Sequence, residues 1–320
     1  MLAAMFPGQG SQTPGMGKDL LETYSEARDV FASVRKGSGI DPERLCFELE
    51  EDELRQTQNA QLALFAVGVA AYRCLEARLG EGREFAAMAG HSVGEYAALA
   101  CSGALSVEEG ARLVKIRGDL MAEAGIQRPG TMRAVLGLDR DPLVALCEAV
   151  SSEGAAVVIA NDNAPGQQVI SGSAEGVERA AERAQEVGAK KIVEIKVSGA
   201  FHSPLMDEAA AEMGKVLRTA KFQAAPGDPK VYANVTSSVV DLPGAWPRLL
   251  ETQLRSAVRW RESVLNMARD GVRTLVEFGP RNVLCGLVKR IAPALATCSV
   301  ADSESLERTL EALSRSEVTA

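Results

Sequence analysis

The sequence predicts an α/β protein in which the strands of a mainly parallel sheet alternate with long helices. Two observations indicate this class: short apolar runs of strand length end at glycine or proline, and long stretches rich in alanine and leucine, with helical spacing, lie between and after them. A third observation adds a second unit. Residues 131–197 follow the order strand, helix, strand, strand, helix, strand, which is typical of a ferredoxin-like fold.

The elements of the large unit begin the chain and return near its end. Its predicted strands are residues 2–6, 85–89, 231–235 and 274–278. Its most distinct predicted helices are residues 62–79 and 107–124. Pro7 and Gly90 stop the first two strands, and Gly279 and Pro280 close the last of the four, because neither residue type continues a strand well.

The second unit is predicted to be an inserted subdomain. Its elements, in the order given above, are residues 132–136, 142–150, 155–160, 168–171, 174–187 and 192–197. Turn-forming sequences, at 128–130 and at 198–199, flank it on both sides. The sequence therefore predicts a large subdomain of residues 1–128 and 199–320, a small subdomain of residues 129–198, and a ligand cleft between them.

Charge and composition exclude several classes of function. The 320 residues carry 35 Lys and Arg against 43 Asp and Glu, so the formal net charge is −8 and a duplex polyanion is repelled. With 46% hydrophobic and 24% charged residues, the chain has an ordinary globular composition. We therefore expect a folded protein that does not bind nucleic acid.

Cysteine usage and hydropathy predict the compartment. Six cysteines without a Cys-x-x-Cys pair, and only two histidines, exclude a zinc-finger site and predict buried, reduced thiols. The first seventeen residues contain no Lys or Arg, which is not the layout of a signal peptide. The longest uncharged stretch, residues 56–72, opens with four polar residues and is too short to cross a bilayer. A cytoplasmic location without membrane association is expected.

The segment Gly90-His-Ser-Val-Gly94 follows a predicted strand and precedes a helix-prone stretch. This order is typical of a nucleophile elbow, in which small residues at both ends let the turn tighten and expose the oxygen of Ser92. The helix N-terminus also favours a developing negative charge. The alternative is that Ser92 only caps the helix.

A nucleophilic serine needs a base within hydrogen-bond reach, and the chain has two histidines. His91 is next to Ser92 on a tight turn, so its side chain is expected to project away from the hydroxyl. By elimination, His202 is the predicted base, in a loop that leaves the small subdomain near the cleft. The alternative is an incidental surface or packing histidine.

Arg117 is an arginine on an apolar helix face. The helix that begins after the capping pattern Ser106-Val-Glu-Glu109 places leucine, valine and methionine three and four residues away on either side of Arg117. Arg112, Lys115 and Asp119 take the opposite face. A buried guanidinium needs an anion, and its planar fork suits a carboxylate. The sequence leaves open whether that carboxylate is a structural Asp or Glu or belongs to a substrate.

A glycine-rich loop, Gly8-Gln-Gly10, follows the first strand. It is not a dinucleotide fingerprint, because position 13 is Thr instead of the third glycine, and no P-loop sequence is present. In a protein with an elbow, such a loop can offer a backbone N–H to an oxyanion hole beside that of Val93. An ordinary tight turn is the alternative.

Six motifs in chain order resemble one enzyme family over nearly the whole sequence. They are Phe6-Pro-Gly-Gln-Gly-Ser-Gln12, Gly90-His-Ser-Val-Gly-Glu-Tyr96, Lys115-Ile-Arg-Gly-Asp-Leu-Met121, Asn161-Asp-Asn-Ala-Pro-Gly-Gln167, Gly199-Ala-Phe-His-Ser-Pro-Leu-Met206 and Val276-Glu-Phe-Gly-Pro280. The resemblance is to malonyl-CoA:acyl carrier protein transacylases, which are similar to polyketide synthase acyltransferase domains. It implies an α/β-hydrolase-like large subdomain with a parallel sheet plus an inserted ferredoxin-like small subdomain.

The resemblance also implies roles for particular residues. Ser92 is the acylated nucleophile, His202 its base, and Arg117 the bidentate partner of the malonyl carboxylate. The backbone N–H groups of Gln9 and Val93 form the oxyanion hole. The remaining implied residues are Gln253, whose backbone carbonyl orients His202; Asn161, Asn163, Gln167 and Lys191 on the coenzyme A side of the cleft; and Met121 and Phe201 in the acyl pocket.

Two details of the resemblance concern specificity and a departure from the family pattern. The bulky ring of Phe201 is expected to leave little room for an α-methyl branch, so malonyl is favoured over methylmalonyl. Ala257 stands where many relatives carry proline, which loosens the backbone near the Gln253 carbonyl.

The implied reaction needs no metal or redox cofactor. Its substrates are a coenzyme A thioester and the phosphopantetheine thiol of an acyl carrier protein, and a monomer is expected. The carrier is acidic, so docking requires a local basic patch, for which the candidates are Lys190, Lys191 and Lys196, or Arg281, Lys289 and Arg290. The alternatives are a serine thioesterase or esterase on the same scaffold and a non-catalytic carrier-binding subunit. The sequence leaves fatty acid and polyketide synthesis both open.

Overall fold

The computed structural model describes residues 1–80, 84–225 and 229–315. Nine strands lie in these ranges and form two separate sheets. The strands are β1 (Leu2–Phe6), β2 (Phe85–Gly90), β3 (Thr131–Leu136), β4 (Val157–Ala164), β5 (Gln167–Gly172), β6 (Lys191–Glu194), β7 (Lys230–Tyr232), β8 (Thr274–Phe278) and β9 (Ala296–Val300).

Thirteen α-helices in the same ranges pack around these sheets. They are α1 (Lys18–Thr23), α2 (Ser25–Ser38), α3 (Glu51–Leu54), α4 (Thr57–Glu76), α5 (Gly94–Cys101), α6 (Val107–Gln127), α7 (Arg140–Ser152), α8 (Ala174–Glu186), α9 (Asp207–Leu217), α10 (Trp246–Gln253), α11 (Trp260–Arg269), α12 (Val283–Ile291) and α13 (Ser303–Arg315). No helix of the described ranges has both the length and the apolar character needed to cross a membrane.

The large sheet has the order β7-β2-β1-β8-β9, and all its neighbouring strands are parallel. This confirms the predicted parallel α/β class. β1 and β8 have the predicted bounds, whereas β7 is only three residues long and ends before the predicted residue 235. After Tyr232 the chain turns back, with Ser237 N–H donating to Ala233 O at 2.8 Å.

One strand of the large sheet is absent from the prediction. β9 pairs only with β8, at the edge of the sheet. Its sequence, Ala-Thr-Cys-Ser-Val, is half-buried in its middle and lacks the continuous apolar run by which the buried strands are found.

Two long helices, α4 and α6, pack beside the large sheet and carry residues of the site. Sixteen residues of α4 are buried, so the helix is enclosed by its neighbours on most sides. It begins five residues before the predicted start, because the apolar pattern does not include the polar residues of its first turn. α6 begins at the predicted residue, and the hydroxyl of its N-cap, Ser106, accepts from the Glu109 N–H at 3.1 Å.

The small sheet is antiparallel with the order β4-β5-β3-β6, the ferredoxin-like order. On one face Val135, Ile159 and Ile170 form a core with α7 and α8. On the other face Met132 and Val169 join the core of the large part. β6 ends at Glu194 instead of residue 197, because the chain leaves the sheet there to enter the cleft. The boundaries at 128 and 199 stay a prediction.

Main-chain hydrogen bonds join β4 of the small sheet to Val258, in the segment between α10 and α11. In β4, Asp162 N–H donates to Val258 O at 3.0 Å, and Val258 N–H donates to Ala160 O at 2.9 Å. Arg261, on α11, pairs with the buried Asp162 carboxylate at 3.2 Å. The small sheet is therefore fastened to the chain segment that follows α10.

Candidate active site

Ser92 lies on a sharp turn between β2, which ends at Gly90, and α5, which begins at Gly94. Its φ is 54°, in the left-handed region that residues other than glycine rarely adopt. A Cβ on Gly90 would collide with the backbone of Gly94, and a Cβ on Gly94 would collide with Phe6 O. Only glycine fits at both ends, so the turn is held tight and Ser92 is exposed to the cleft.

The predicted serine and histidine are in contact. Ser92 Oγ lies 2.8 Å from His202 Nε2, and His202 Nδ1 lies 2.8 Å from Gln253 O. His202 is also at a left-handed φ of 57°, and its N–H donates to Leu254 O at 3.0 Å. Two successive carbonyls at the C-terminal end of α10 therefore hold this histidine.

The surroundings keep the His202 imidazole neutral. Burial, and next the positive charge of Arg117, lower the pKa of His202 from 6.5 to about 3. A neutral ring with Nδ1–H donating to Gln253 O leaves Nε2 free to accept the hydroxyl proton of Ser92. The geometry is thus that of a general base poised on a serine, and Ser92 does not cap α5.

Arg117 is fully buried, as its place on the apolar face predicts. Its Nη2 donates to Ser92 Oγ at 3.0 Å and to Gln253 Oε1 at 2.8 Å, and its Nη1 donates to Gln61 Oε1. Among the residues that the structure describes, it forms no ion pair, and its Nε has no hydrogen-bond partner. The alternative of a structural ion pair is therefore not met there, and N–H donors remain for another anion.

The loop after β1 packs against the elbow. His91 N–H donates to Phe6 O at 2.9 Å, and a Cβ on Gly8 would collide with the His91 carbonyl. This close approach brings Gln9 and Val93 into the wall of the same cavity as Ser92. The oxyanion role of their N–H groups stays a prediction.

The cavity in front of Ser92 has a volume of about 180 Å³ and lies between the large sheet and the small one. Ten of the twelve predicted site residues line it, namely Gln9, Ser92, Val93, Arg117, Met121, Asn161, Asn163, Gln167, Phe201 and His202. Gln253 is fully buried behind it. Among the described residues, no three or more His, Cys, Asp or Glu side chains lie close enough together to hold a metal ion.

Lys191 is the predicted site residue that lies outside the cavity. It is exposed on β6, the edge strand of the small sheet, opposite Leu136. Ile195 and Val197 of the same chain segment do line the cavity, so Lys191 lies farther out on the same side of the strand. Its predicted place on the coenzyme A side of the cleft, beyond this cavity, stays a prediction.

Two of the predicted coenzyme A residues have partners that were not predicted. Asn163 Oδ1 lies 2.9 Å from His91 Nε2, so the His91 ring points away from Ser92, as expected. Gln167 Oε1 accepts from Arg290, which also donates to Pro165 O at 2.9 Å. Arg290 thus ties α12 to the turn between β4 and β5, and since both of its partners are neutral its charge remains a candidate for docking.

Three polar residues of the site escaped the sequence analysis. Asn234 accepts from Ser92 N–H at 2.8 Å and donates to Gly90 O at 2.6 Å, so it holds both sides of the elbow. Glu95 and Gln61 are each 1% exposed. The only signal for these two is a polar residue within an otherwise apolar helix, and nothing in the sequence around Asn234 indicates its role.

Comparisons with known proteins agree with this geometry. The family model described as "Acyl transferase domain" matches residues 5–306. The chain is 41% identical to the malonyl CoA-acyl carrier protein transacylase of Bacillus subtilis, over 98% of this chain and 97% of that protein. An acyl-carrier-protein-S-malonyltransferase structure from Bartonella henselae has a TM-score of 0.91 and 41% identity, over 98% of this chain and 99% of that one.

A further similar structure is that of a type II PKS acyl-carrier protein in complex with its malonyl-transacylase. It has a TM-score of 0.91 and 38% identity, and the match covers 97% of this chain and 99% of that one. These matches span nearly the full length of both partners at well above 30% identity. The chain therefore belongs to the acyl transferase family, among its malonyl-CoA:acyl carrier protein transacylases.

Proposed function

We propose that the protein moves a malonyl group from coenzyme A to the phosphopantetheine thiol of an acyl carrier protein through a malonyl-Ser92 intermediate. The observation that carries this proposal is the position of Ser92 Oγ, which contacts a neutral imidazole on one side and an unpaired guanidinium on the other. The relatives named above carry the same activity in their names.

In the first half-reaction, His202 Nε2 takes the hydroxyl proton while Ser92 Oγ attacks the thioester carbonyl carbon. The N–H groups of Gln9 and Val93 are the proposed donors to the oxyanion of the tetrahedral intermediate. The C–S bond then breaks, and His202 returns its proton to the coenzyme A thiolate. Because the His202 ring is neutral in the free enzyme, it can accept the Ser92 hydroxyl proton without first losing a proton of its own.

In the second half-reaction, the carrier's thiol gives its proton to His202 and attacks the malonyl-serine carbonyl. The bond between carbon and Ser92 Oγ breaks, and the proton returns to Oγ. The two steps share one site, which predicts ping-pong kinetics. Neither step requires a metal or redox cofactor.

Arg117 is the proposed partner of the malonyl carboxylate. Its Nη2 is 3.0 Å from the oxygen that becomes acylated, and a malonyl group places its carboxylate only one CH₂ beyond the carbonyl carbon. A guanidinium buried among neutral partners gains a counter-ion when malonate binds, whereas an acetyl group offers none. Met121 and Phe201 line the rest of this pocket, and the Phe201 ring is proposed to disfavour methylmalonyl.

Two further groups of residues are proposed to contact the pantetheine arm of coenzyme A and the carrier protein. Asn161, Asn163 and Gln167 line the cavity toward the small sheet and are the proposed contacts of the pantetheine arm. The proposed docking candidates are Lys190, Lys191 and Lys196, or Arg281, Lys289 and Arg290.

The similar complex supports an acyl carrier protein as the partner, and the pathway stays open between fatty acid and polyketide synthesis. We propose that the protein acts as a monomer, since one chain supplies every predicted contact. The six free thiols support a cytoplasmic location; five of them are buried and Cys298 is half-buried.

The mass of the intact protein after exposure to malonyl-CoA tests this function. The wild-type chain is expected to gain one malonyl group, lose it when holo carrier protein is added, and yield malonyl carrier protein; Ser92→Ala is expected to gain nothing. Free malonate released at the same rate with and without carrier indicates a thioesterase instead. A wild-type chain that gains no mass indicates a non-catalytic carrier-binding protein.

A further inference from the structure

A fully enclosed carboxylate lies directly behind the reacting residues and has no part in the mechanism above. Glu95 belongs to the first turn of α5, three residues after the nucleophile, and is 1% exposed. One oxygen accepts from Asn234 N–H at 2.9 Å, and the other accepts from Gln253 Nε2. Burying a carboxylate is costly unless it is paired, so its retention here requires an explanation.

The contacts of Glu95 determine which way the Gln253 side-chain amide points. Gln253 Nε2 donates to Glu95 and also to Ser92 O at 2.9 Å, while its Oε1 accepts from Arg117 Nη2 at 2.8 Å. Burial raises the pKa of Glu95 from 4.5 to about 7, whereas the hydrogen bonds from Asn234 and Gln253 and the charge of Arg117 favour the ionised form, which only accepts hydrogen bonds. Gln253 must therefore turn its NH₂ group toward Glu95, which turns its oxygen toward the guanidinium.

The same arrangement separates two opposite charges by one neutral amide. Glu95 is the carboxylate whose charge acts on Arg117 in this core, yet the two form no direct ion pair among the described residues. A direct pair would occupy the donors that an incoming carboxylate needs. Placing Gln253 between them keeps a compensating charge nearby while the guanidinium stays open to the cavity.

We propose that Glu95 is a positioning residue for the malonyl-binding arginine: its buried carboxylate fixes the orientation of the Gln253 amide, which holds Arg117 in place without neutralising it by contact. This inference rests on the proposed malonyl transfer, because it assigns the orientation of the group that selects the acyl carboxylate. Glu95 itself does not touch the reacting atoms.

The substitution Glu95→Gln separates this role from simple packing. It keeps the volume of the side chain but replaces one acceptor with an NH₂ group. The Asn234 N–H is part of the main chain and cannot reverse, so the new NH₂ has to face Gln253, whose amide then flips. The flipped amide presents NH₂ to Arg117 Nη2 and removes the donor to Ser92 O, which displaces the guanidinium.

The experiment measures KM and kcat for malonyl-CoA, and the second-order rate constant for acylation by acetyl-CoA, on the full chain. We expect Glu95→Gln to raise the malonyl-CoA KM by about tenfold to a hundredfold, as for the loss of one charge-assisted hydrogen bond. Acylation by acetyl-CoA, which has no carboxylate, is expected to change by less than about threefold. Equal losses for both thioesters, or an unchanged malonyl-CoA KM, would overturn the proposal.

A matched control is available at another buried glutamate. Glu277 is 0% exposed and accepts from two backbone N–H groups, those of Leu284 at 3.1 Å and Cys285 at 2.8 Å. Glu277→Gln disturbs an equally buried carboxylate that has no contact with Gln253 or Arg117. It is expected to lower the melting temperature while leaving the ratio of malonyl to acetyl transfer as in the wild type, and a similar drop in that ratio would contradict a specific role for Glu95.

A second variant keeps the proposal testable if Glu95→Gln does not fold. Gln253→Met preserves the backbone carbonyl that holds His202 but removes the amide between Glu95 and Arg117. It is expected to show the same malonyl-specific rise in KM, and the double variant is expected to be no worse than either single one. Additive effects would refute a relay through Gln253. A wild-type chain that does not take up malonyl at all would refute the proposed function instead.

Discussion

Arg117→Ala is the substitution that tests most directly how the site selects its acyl group. The arginine is fully buried, and its three hydrogen bonds run to Ser92, Gln61 and Gln253. Alanine removes the guanidinium from the cavity and leaves two amide oxygens without their donor. The variant therefore loses both the proposed carboxylate partner and some stability.

The size of the selective effect follows from the contacts that a malonyl carboxylate would make. A bidentate pair consists of two charge-assisted hydrogen bonds, each worth about 1.5–3 kcal/mol. Their sum of about 3–6 kcal/mol corresponds to a loss of about 10²–10⁴ in kcat/KM for malonyl-CoA, at about 1.36 kcal/mol per factor of ten. An acetyl thioester lacks the carboxylate, and we expect its transfer to be retained or to rise.

The assay compares malonyl-CoA and acetyl-CoA on the same preparation, by following acylation of the intact protein. Any general damage to the elbow or to His202 lowers both rates, so it cancels when the malonyl rate is divided by the acetyl rate. This ratio is expected to fall by at least about a hundredfold in Arg117→Ala. A thermal melt establishes that the variant is folded at the assay temperature.

Equal losses for the two thioesters would refute the reasoning. They would mean that Arg117 supports the geometry of Ser92 and Gln253 and does not bind the substrate carboxylate. An unchanged malonyl rate would refute it more strongly, because a vacated, fully buried guanidinium site would then have no consequence.

Two further predictions concern acidity and the elbow. The low pKa of His202, about 3, keeps its ring neutral. The rate of Ser92 acylation by acetyl-CoA should therefore stay constant as pH falls from about 8 to about 5, and fall only near the lowered pKa. An inflection near pH 6.5 in the rate profile would contradict this. Gly90→Ala should prevent stable folding, since its Cβ meets the backbone of Gly94, whereas Gly286→Ala, in an exposed turn of α12 with open space around it, should stabilise the protein by about 0.5–1 kcal/mol in chemical denaturation.

The parts of the fold that the sequence predicts best are those where local chemistry and burial agree. β1 and β8 are almost fully buried strands closed by proline or glycine, and their bounds are those predicted. α6 has a capping serine that acts as expected. β9 was missed because an edge strand needs only one paired side and carries no continuous apolar run.

The site divides in the same way. Ser92, His202 and Arg117 stand out in the sequence because each is unusual where it occurs, in an elbow, among scarce histidines or on an apolar face. Nothing in the sequence marks Asn234, because it contacts the turn at Ser92, 142 residues earlier, only in the folded protein. Lys191 was assigned to the coenzyme A side of the cleft by resemblance alone, and it lies on β6 outside the cavity at Ser92, so its role stays a prediction.

The reciprocal main-chain bonds between β4 and Val258 have a consequence for how substrates come and go. These hydrogen bonds lie along the side of the cleft, so we expect its width to stay constant, because opening it would leave buried main-chain donors and acceptors without partners. The pantetheine arm of each thioester then enters and leaves along the length of the cleft. We expect the turnover rate to depend on this movement of the arm and not on opening and closing of the two subdomains.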